Sequence, residues 1–307
     1  MRISSIILIA AILFAPPVLA APTEAEVAAA RLAYIDGDYD AALSVIREAA
    51  EAGNGMALNI LGAAYDDGRG VKKDAVKAVE YFERAANAGE VRARFNLGSL
   101  YAFGSGDIPE DRKRATTEFR LAVAAGYAPA MTALGQLQER ADPPDHVAAA
   151  DWYEKAHEKG DVVATANLAH AYVKGQGRSE NWARARLLYT EAAAHGYPRA
   201  YNDLGVMHEQ GYGVHADPLT AFSFFLRGVE QGYPRAGINL AELIVKARFP
   251  FASKDMALGY CFWGMQNANA QEGDAFAKDC TALEEIIQPD EEMRARAHSF
   301  ADDLGTR

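Results

Sequence analysis

Apolar and small residues recur along this chain at helical spacing. In six stretches an alanine is followed four residues later by an apolar residue and then a small one. The sets are Ala57/Leu61/Gly62, Ala93/Leu97/Gly98, Ala130/Leu134/Gly135, Ala164/Leu168/Ala169, Ala200/Leu204/Gly205 and Ala236/Leu240/Ala241. An aromatic often follows three residues on, at Tyr65, Tyr101 and Tyr172. Positions i, i+4, i+5 and i+8 share one face, so each stretch predicts an amphipathic helix, helix A. A second stripe follows: Ala78/Tyr81/Phe82/Ala85, Ala149/Trp152/Tyr153/Ala156, Ala185/Leu188/Tyr189/Ala192 and Ala221/Phe224/Phe225. It predicts a helix B whose aromatics belong to a core rather than to a cofactor box.

The pattern has a period. Glycines closing alanine-rich runs stand at Gly53, Gly89, Gly126, Gly160, Gly196 and Gly232, spaced 36, 37, 34, 36 and 36 residues apart. Between helices A and B lie turns such as Asp67-Gly68-Arg69-Gly70-Val71 and Gln210-Gly211-Tyr212-Gly213-Val214, whose glycines are free to take positive φ. Asp74 and Asp217 read as caps of the following helix, with Pro218 in its first turn. One such pair has two apolar faces and cannot bury both alone; stacking pairs buries a continuous core.

The series Ala-x3-Leu-Gly-x2-Tyr, Gly-x-Gly-Val and Ala-x2-aromatic-aromatic with a closing Ala-x-Gly resembles the Sel1-like repeat, a relative of the tetratricopeptide repeat. The resemblance covers six copies: 54–89, 90–126, 127–160, 161–196, 197–232 and 233–270. It implies an all-α fold, a right-handed superhelical solenoid of stacked antiparallel helix pairs. Three copies depart from the pattern. Ala141-Asp142-Pro143-Pro144 replaces the Gly-x-Gly turn of the third, Arg248-Phe249-Pro250-Phe251 that of the sixth, and the second carries Gly104-Ser105-Gly106 with an inserted Asp107. Such breaks bend the superhelix, mark contact sites or are drift. Residues 21–53 read as a tetratricopeptide-like helical cap and 271–307 as a polar C-terminal helical cap, the polar ends that solubility of a solenoid needs.

The first twenty residues read as an export signal. Arg2 precedes nine unbroken apolar residues from Ile6 to Phe14, Pro16 and Pro17 break the helix, and Val18-Leu19-Ala20 presents a cleavage site. Nine apolar residues are too short to span about 30 Å of hydrocarbon. The chain is therefore expected to be periplasmic or secreted, from a bacterial source on its alanine-rich composition, and not membrane-spanning after cleavage. Two cysteines, Cys261 and Cys280, form an even count that favours a disulfide in an oxidising compartment. The net charge of −11, with no cluster of basic residues, argues against nucleic acid.

Catalytic signatures are missing. No two of the seven histidines stand at i, i+4, so neither a metal nor another cofactor is expected. There is no Ser-x-x-Lys, no Lys-Thr-Gly and no Gly-x-Ser-x-Gly, and the chain is read as no enzyme. The resemblance implies a protein-interaction scaffold, adaptor or regulator that holds a protein or peptide in a concave groove lined by helix A. In tetratricopeptide relatives an Asn just before the Leu-Gly pair grips a bound backbone. Here that position holds Asn96, Asn167, Asp203 and Asn239; the competing role for it is a bond to a neighbouring helix. Arg199 and Arg235 open two A helices and would pair with an acidic partner. The alternative functions are a peptidoglycan- or glycan-binding module, favoured if aromatics line the groove, and a cell-wall-active or β-lactamase-like hydrolase.

Overall fold

The computed structural model describes residues 21–269 and 272–305; the leader expected over 1–20 lies outside the described residues. Sixteen helices and no strand occur among them. They come in pairs: α1 (Glu24–Ile35) with α2 (Tyr39–Glu51), α3 (Gly55–Asp67) with α4 (Ala75–Asn87), α5 (Val91–Phe103) with α6 (Arg112–Ala124) and α7 (Ala128–Glu139) with α8 (His146–His157). Then follow α9 (Val162–Lys174) with α10 (Trp182–Ala194), α11 (Pro198–Gln210) with α12 (Pro218–Glu230), α13 (Pro234–Ala247) with α14 (Lys254–Gln266) and α15 (Gly273–Ile287) with α16 (Glu291–Gly305). The chain divides into two compact units, one ending at Glu118 and the other starting at Phe119. In the first unit α3 packs against its partner α4 and against α1 and α5; in the second, α11 packs against α12 and α13, and α7 against α8 and α9. Within each unit, helices such as α3, α7 and α11 thus touch their own mates and an equivalent helix of a neighbouring copy.

Local chemistry sets the helix ends. The side chains of Asp74, Asp145, Asp161, Asn181 and Asp217 accept from first-turn backbone N–H groups of α4, α8, α9, α10 and α12, satisfying donors that the helix itself leaves open. The six periodic glycines all have φ between +77° and +89°, where a side chain would be strained. The third copy turns through a cis Asp142–Pro143 bond; the sixth turns with Arg248 itself at φ +51°.

What locks helix A to helix B is a glycine facing an aromatic ring. A Cβ added at Gly62 would meet Phe82 Cδ1 at 2.5 Å, one at Gly135 would meet Tyr153 Cε1 at 2.5 Å and one at Gly205 would meet Phe225 Cδ1 at 2.5 Å. All three rings are buried. In the fourth copy Ala169 stands at this position with Tyr189 buried on helix B.

The C-terminal end is knitted into the stack. Helix α16 packs on α14, and Gly259 of α14 gives room for Phe300, with which an added Cβ would clash. Cys261 on α14 is bonded to Cys280 on α15, with Cα atoms 5.7 Å apart and a sequence separation of 19. Closing a loop of that length restricts the unfolded chain by roughly 3 kcal/mol.

The glycine seat is testable. Gly205→Ala gains about 1 kcal/mol of helix propensity, but overpacking costs about 1–3 kcal/mol. The urea midpoint should fall. Gly273→Ala, where nothing lies within 4 Å of an added Cβ, should leave it level or raise it. Equal responses would remove the seat from the account.

Candidate functional site

The A helices carry a ladder of side-chain amides. Asn96 Nδ2 on α5 donates to Asn59 Oδ1 on α3 at 2.8 Å, and Asn239 Nδ2 on α13 donates to Asn202 Oδ1 on α11 at 2.7 Å. In both cases the donor directly precedes the leucine of its own copy. The acceptor stands two residues before the leucine of the preceding copy, 37 positions earlier. The amides of Asn96 and Asn239 are therefore joined to a neighbouring helix. That is the competing role read from the sequence for this position; what the sequence did not single out are the acceptors, Asn59 and Asn202.

The same register fails between α9 and α11. Asp203 precedes Leu204, and the position 37 residues earlier is Ala166, which has no amide to offer. Asp203 Oδ2 is shielded from solvent and forms no hydrogen bond. It lies 3.5 Å from Arg199 Nε, one helical turn back, while Oδ1 receives a long contact from Asn202 Nδ2 at 3.5 Å. Burial raises the Asp203 carboxyl above the ordinary aspartate range, against the opposing pull of Arg199. One copy earlier Asn167 is half-buried, and Thr132, two residues before the leucine of the copy preceding it, has a hydroxyl that is also buried without a partner.

A cavity of about 480 Å³ opens at this break. Asp203, Arg199, Lys174 and His170 supply its charged and imidazole groups, Tyr189 of α10 contributes to its lining, and Trp182 and Tyr212 stack on each other with ring centres 4.7 Å apart. Burial, helped by Arg199 and Lys174, lowers the His170 imidazole below its usual range, so the ring is neutral near pH 7. The groove then offers a guanidinium that donates, a carboxylate that accepts and an imidazole that does either. Arg235 is placed differently: it bonds Asp279 at 2.8 Å and lies 4.1 Å from the Phe276 ring centre, which ties the start of α13 to α15.

Elsewhere in the second unit, Glu242 is raised by burial and by Asp279 and Glu209; Arg235 and Lys246 oppose the shift. Glu209 and Asp279 are themselves bonded to Lys246 and Arg235 at 2.8 Å each. This is a charge cluster that ties neighbouring helices together. Among the described residues no group of three or more His, Cys, Asp or Glu is placed to hold a metal, and no helix is long and apolar enough to cross a membrane.

Comparison with known proteins agrees with this architecture. The model of the Sel1 repeat matches residues 55–90, 91–126, 128–161, 162–197 and 198–233. The chain belongs to the Sel1 repeat family. Sel1 repeat proteins generally mediate protein–protein interaction. The pair α13–α14, read from the sequence as a sixth copy, lies outside the matched stretches. A Sel1 repeat protein from Oxalobacter formigenes superposes with a TM-score of 0.62 at 24% identity, covering 83% of this chain and 96% of that one. The protective antigen c5321 of uropathogenic Escherichia coli, described as displaying an SLR fold, gives 0.58 at 24% identity over 92% of this chain and 61% of that one. In sequence the chain is 28% identical over 227 residues to chitin synthase regulatory factor 3 of Schizosaccharomyces pombe, which is 69% of this chain but only 24% of that protein. The chain thus spans about a quarter of that relative's length.

Two substitutions separate scaffold from site. Asn239→Ala leaves buried Asn202 without its donor and should cost about 1–3 kcal/mol in urea unfolding; Asn167→Ala should cost less, and the reverse order would contradict the ladder. Asp203 has the opposite sign. Its folded pKa is raised, so its contribution to stability is present at acid pH and is lost as pH rises through the folded value. Asp203→Asn should therefore be at least as stable as the parent at pH 7, with its relative advantage shrinking in acid. A variant that is less stable at pH 7 and recovers in acid would overturn this reading.

Proposed function

We propose that the chain is an exported, non-catalytic adaptor that holds an extended segment of a partner protein in the α9–α11 groove. The observation that carries this is the pairing of Arg199 with an under-bonded Asp203 in a cavity open to solvent. A peptide backbone presents a carbonyl and an N–H in alternation. Arg199 donates to the first and Asp203 accepts from the second, and neither need is met in full inside the chain. The Trp182–Tyr212 pair offers an aromatic platform for a side chain next to that backbone. The groove's charged and imidazole groups are Asp203, Arg199, Lys174 and His170, with no Ser, Cys or Glu among the lining residues to act as a nucleophile or second carboxylate, which supports binding over hydrolysis. The fungal relative named as a regulatory factor of a synthase supports a regulator acting through another protein.

Export rests on the leader over residues 1–20 and is supported by the Cys261–Cys280 bond, which suits an oxidising compartment. Amino-terminal sequencing of the protein from the envelope fraction of its own cells should start at Ala21 or Pro22. An intact Met1 in the cytosol would contradict export.

A second reading is favoured by one observation: the aromatic pair at the groove also suits the apolar face of a sugar, so a cell-wall glycan is the alternative occupant. Selection of displayed peptides on the folded chain distinguishes them. The adaptor reading expects peptides that bind the parent and weaken by about tenfold or more, ~1.4 kcal/mol, with Arg199→Ala and with Asp203→Asn. Peptides indifferent to both substitutions would remove the groove as their site. No peptide, together with saturable muropeptide binding lost in Tyr212→Ala, would establish the glycan reading instead.

A further inference from the structure

The first unit holds a cavity of about 650 Å³, walled by the turn between α3 and α4, by Arg47 of α2 and by Gly106 and Asp107 from the turn after α5. Arg47, Lys72 and Lys73 line it and are exposed, and none of the three forms an ion pair among the described residues. A fourth cation, Lys77, is partly committed, 3.8 Å from Asp74 and 5.2 Å from the centre of the Tyr65 ring. Four cations against the two carboxylates of Asp74 and Asp107 leave the opening positive, in a chain whose net charge is −11.

Turn geometry does not require these lysines. The equivalent turn carries Ser179-Glu180 in the fourth copy and His215-Ala216 in the fifth, where Lys72-Lys73 stand in the first. The walls are also fixed in place. At Gly70, φ +70°, a Cβ would lie 2.6 Å from Tyr39 Cβ and 2.7 Å from Leu43 Cδ1, so the turn is pressed onto α2. On the other side Ser105 and Ile108 exchange backbone bonds of 2.9 Å, and Ser105 Oγ donates to Asp66 at 3.0 Å. The inserted Asp107, unexplained by the repeat pattern, is thereby held at the rim.

We propose that this cavity is a second recognition site, for an acidic segment of a partner protein, and that it works independently of the α9–α11 groove. Carboxylate side chains meet Arg47, Lys72 and Lys73. Asp74 and Asp107 accept N–H groups of the same peptide and repel a uniformly charged polyanion, as does the acidic remainder of the chain. Each exposed contact contributes little alone; together they steer an acidic segment inward, with a dependence on salt.

The test uses the full chain and fluorescein-labelled hexaglutamate, read by anisotropy, with labelled hexalysine and inorganic phosphate as comparison probes. Hexaglutamate should bind the parent more tightly than hexalysine. The triple variant Arg47→Gln, Lys72→Gln, Lys73→Gln should weaken it by about tenfold or more while its circular dichroism is unchanged, because all three side chains are exposed. Asp203→Asn should leave it unaltered, which separates this site from the groove. A triple variant that binds as the parent does, or no preference for hexaglutamate, would overturn the proposal. Displacement of the peptide by equimolar inorganic phosphate would overturn the acidic-peptide assignment in favour of a general anion site.

Discussion

The close approach of helix A to helix B at a residue without a side chain governs the rest of this structure. A phenyl or phenol ring from helix B fills the space over Gly62, Gly135 or Gly205, and that contact sets how deeply the two helices sink together. Once the distance inside a pair is set, the outer faces of successive pairs are held in register. Residues 37 positions apart then face each other, as Asn59 and Asn96 do, and as Asn202 and Asn239 do. A seat the size of one missing methyl group thus decides which side chains meet across neighbouring copies.

The proposed site lies where that register is kept but its chemistry is not. Between α11 and α13 an amide faces an amide and both are satisfied. Between α9 and α11 an alanine stands where an amide would be, a carboxylate is left short of donors, and a cavity opens beside it. The fold tolerates an under-bonded Asp203 because Arg199 lies one turn away. On the proposed function, the stability forgone there is recovered when a partner supplies the missing donor, an exchange of stability for recognition that binding sites commonly show. The two cavities also differ in kind: the groove sets one carboxylate with Arg199, Lys174 and an aromatic pair, whereas the opening beside Lys72 and Lys73 is an exposed cationic wall without such a pair among its lining residues.

Much of the architecture was legible because its causes are local. Gly53, Gly89 and their periodic counterparts announce left-handed backbone, Asp74 and Asp217 announce helix starts, and the Ala-x3-Leu-Gly stripe announces the buried face. The candidate site was legible only in part. Asp203 and Arg199 were singled out from their position before Leu204 and at a helix start, and the structure places both on one cavity. That same position holds Asn96 and Asn239, which the structure turns to joining helices. Telling the two cases apart needs the identity of a residue 37 places away, and periodicity within one helix carries no such information. Arg235 was singled out as a contact for a partner, yet Asp279 and Phe276 on α15 occupy it, a meeting that only the docking of the last helices produces. The insertion at Asp107 was visible as a departure, but its place on a cationic wall depends on the turn of the preceding copy.

The central claim is that Asp203 is an acceptor waiting for a donor from outside the chain. Its most direct test is a titration of the Asp203 carboxyl carbon by NMR, in the free chain and in complex with a peptide selected on the groove. The account predicts a midpoint above the ordinary aspartate range in the free chain, falling on complex formation as N–H groups from the peptide reach Oδ2 and favour the charged form. A midpoint that is unchanged, or raised further, in a complex that leaves the fold intact would contradict it.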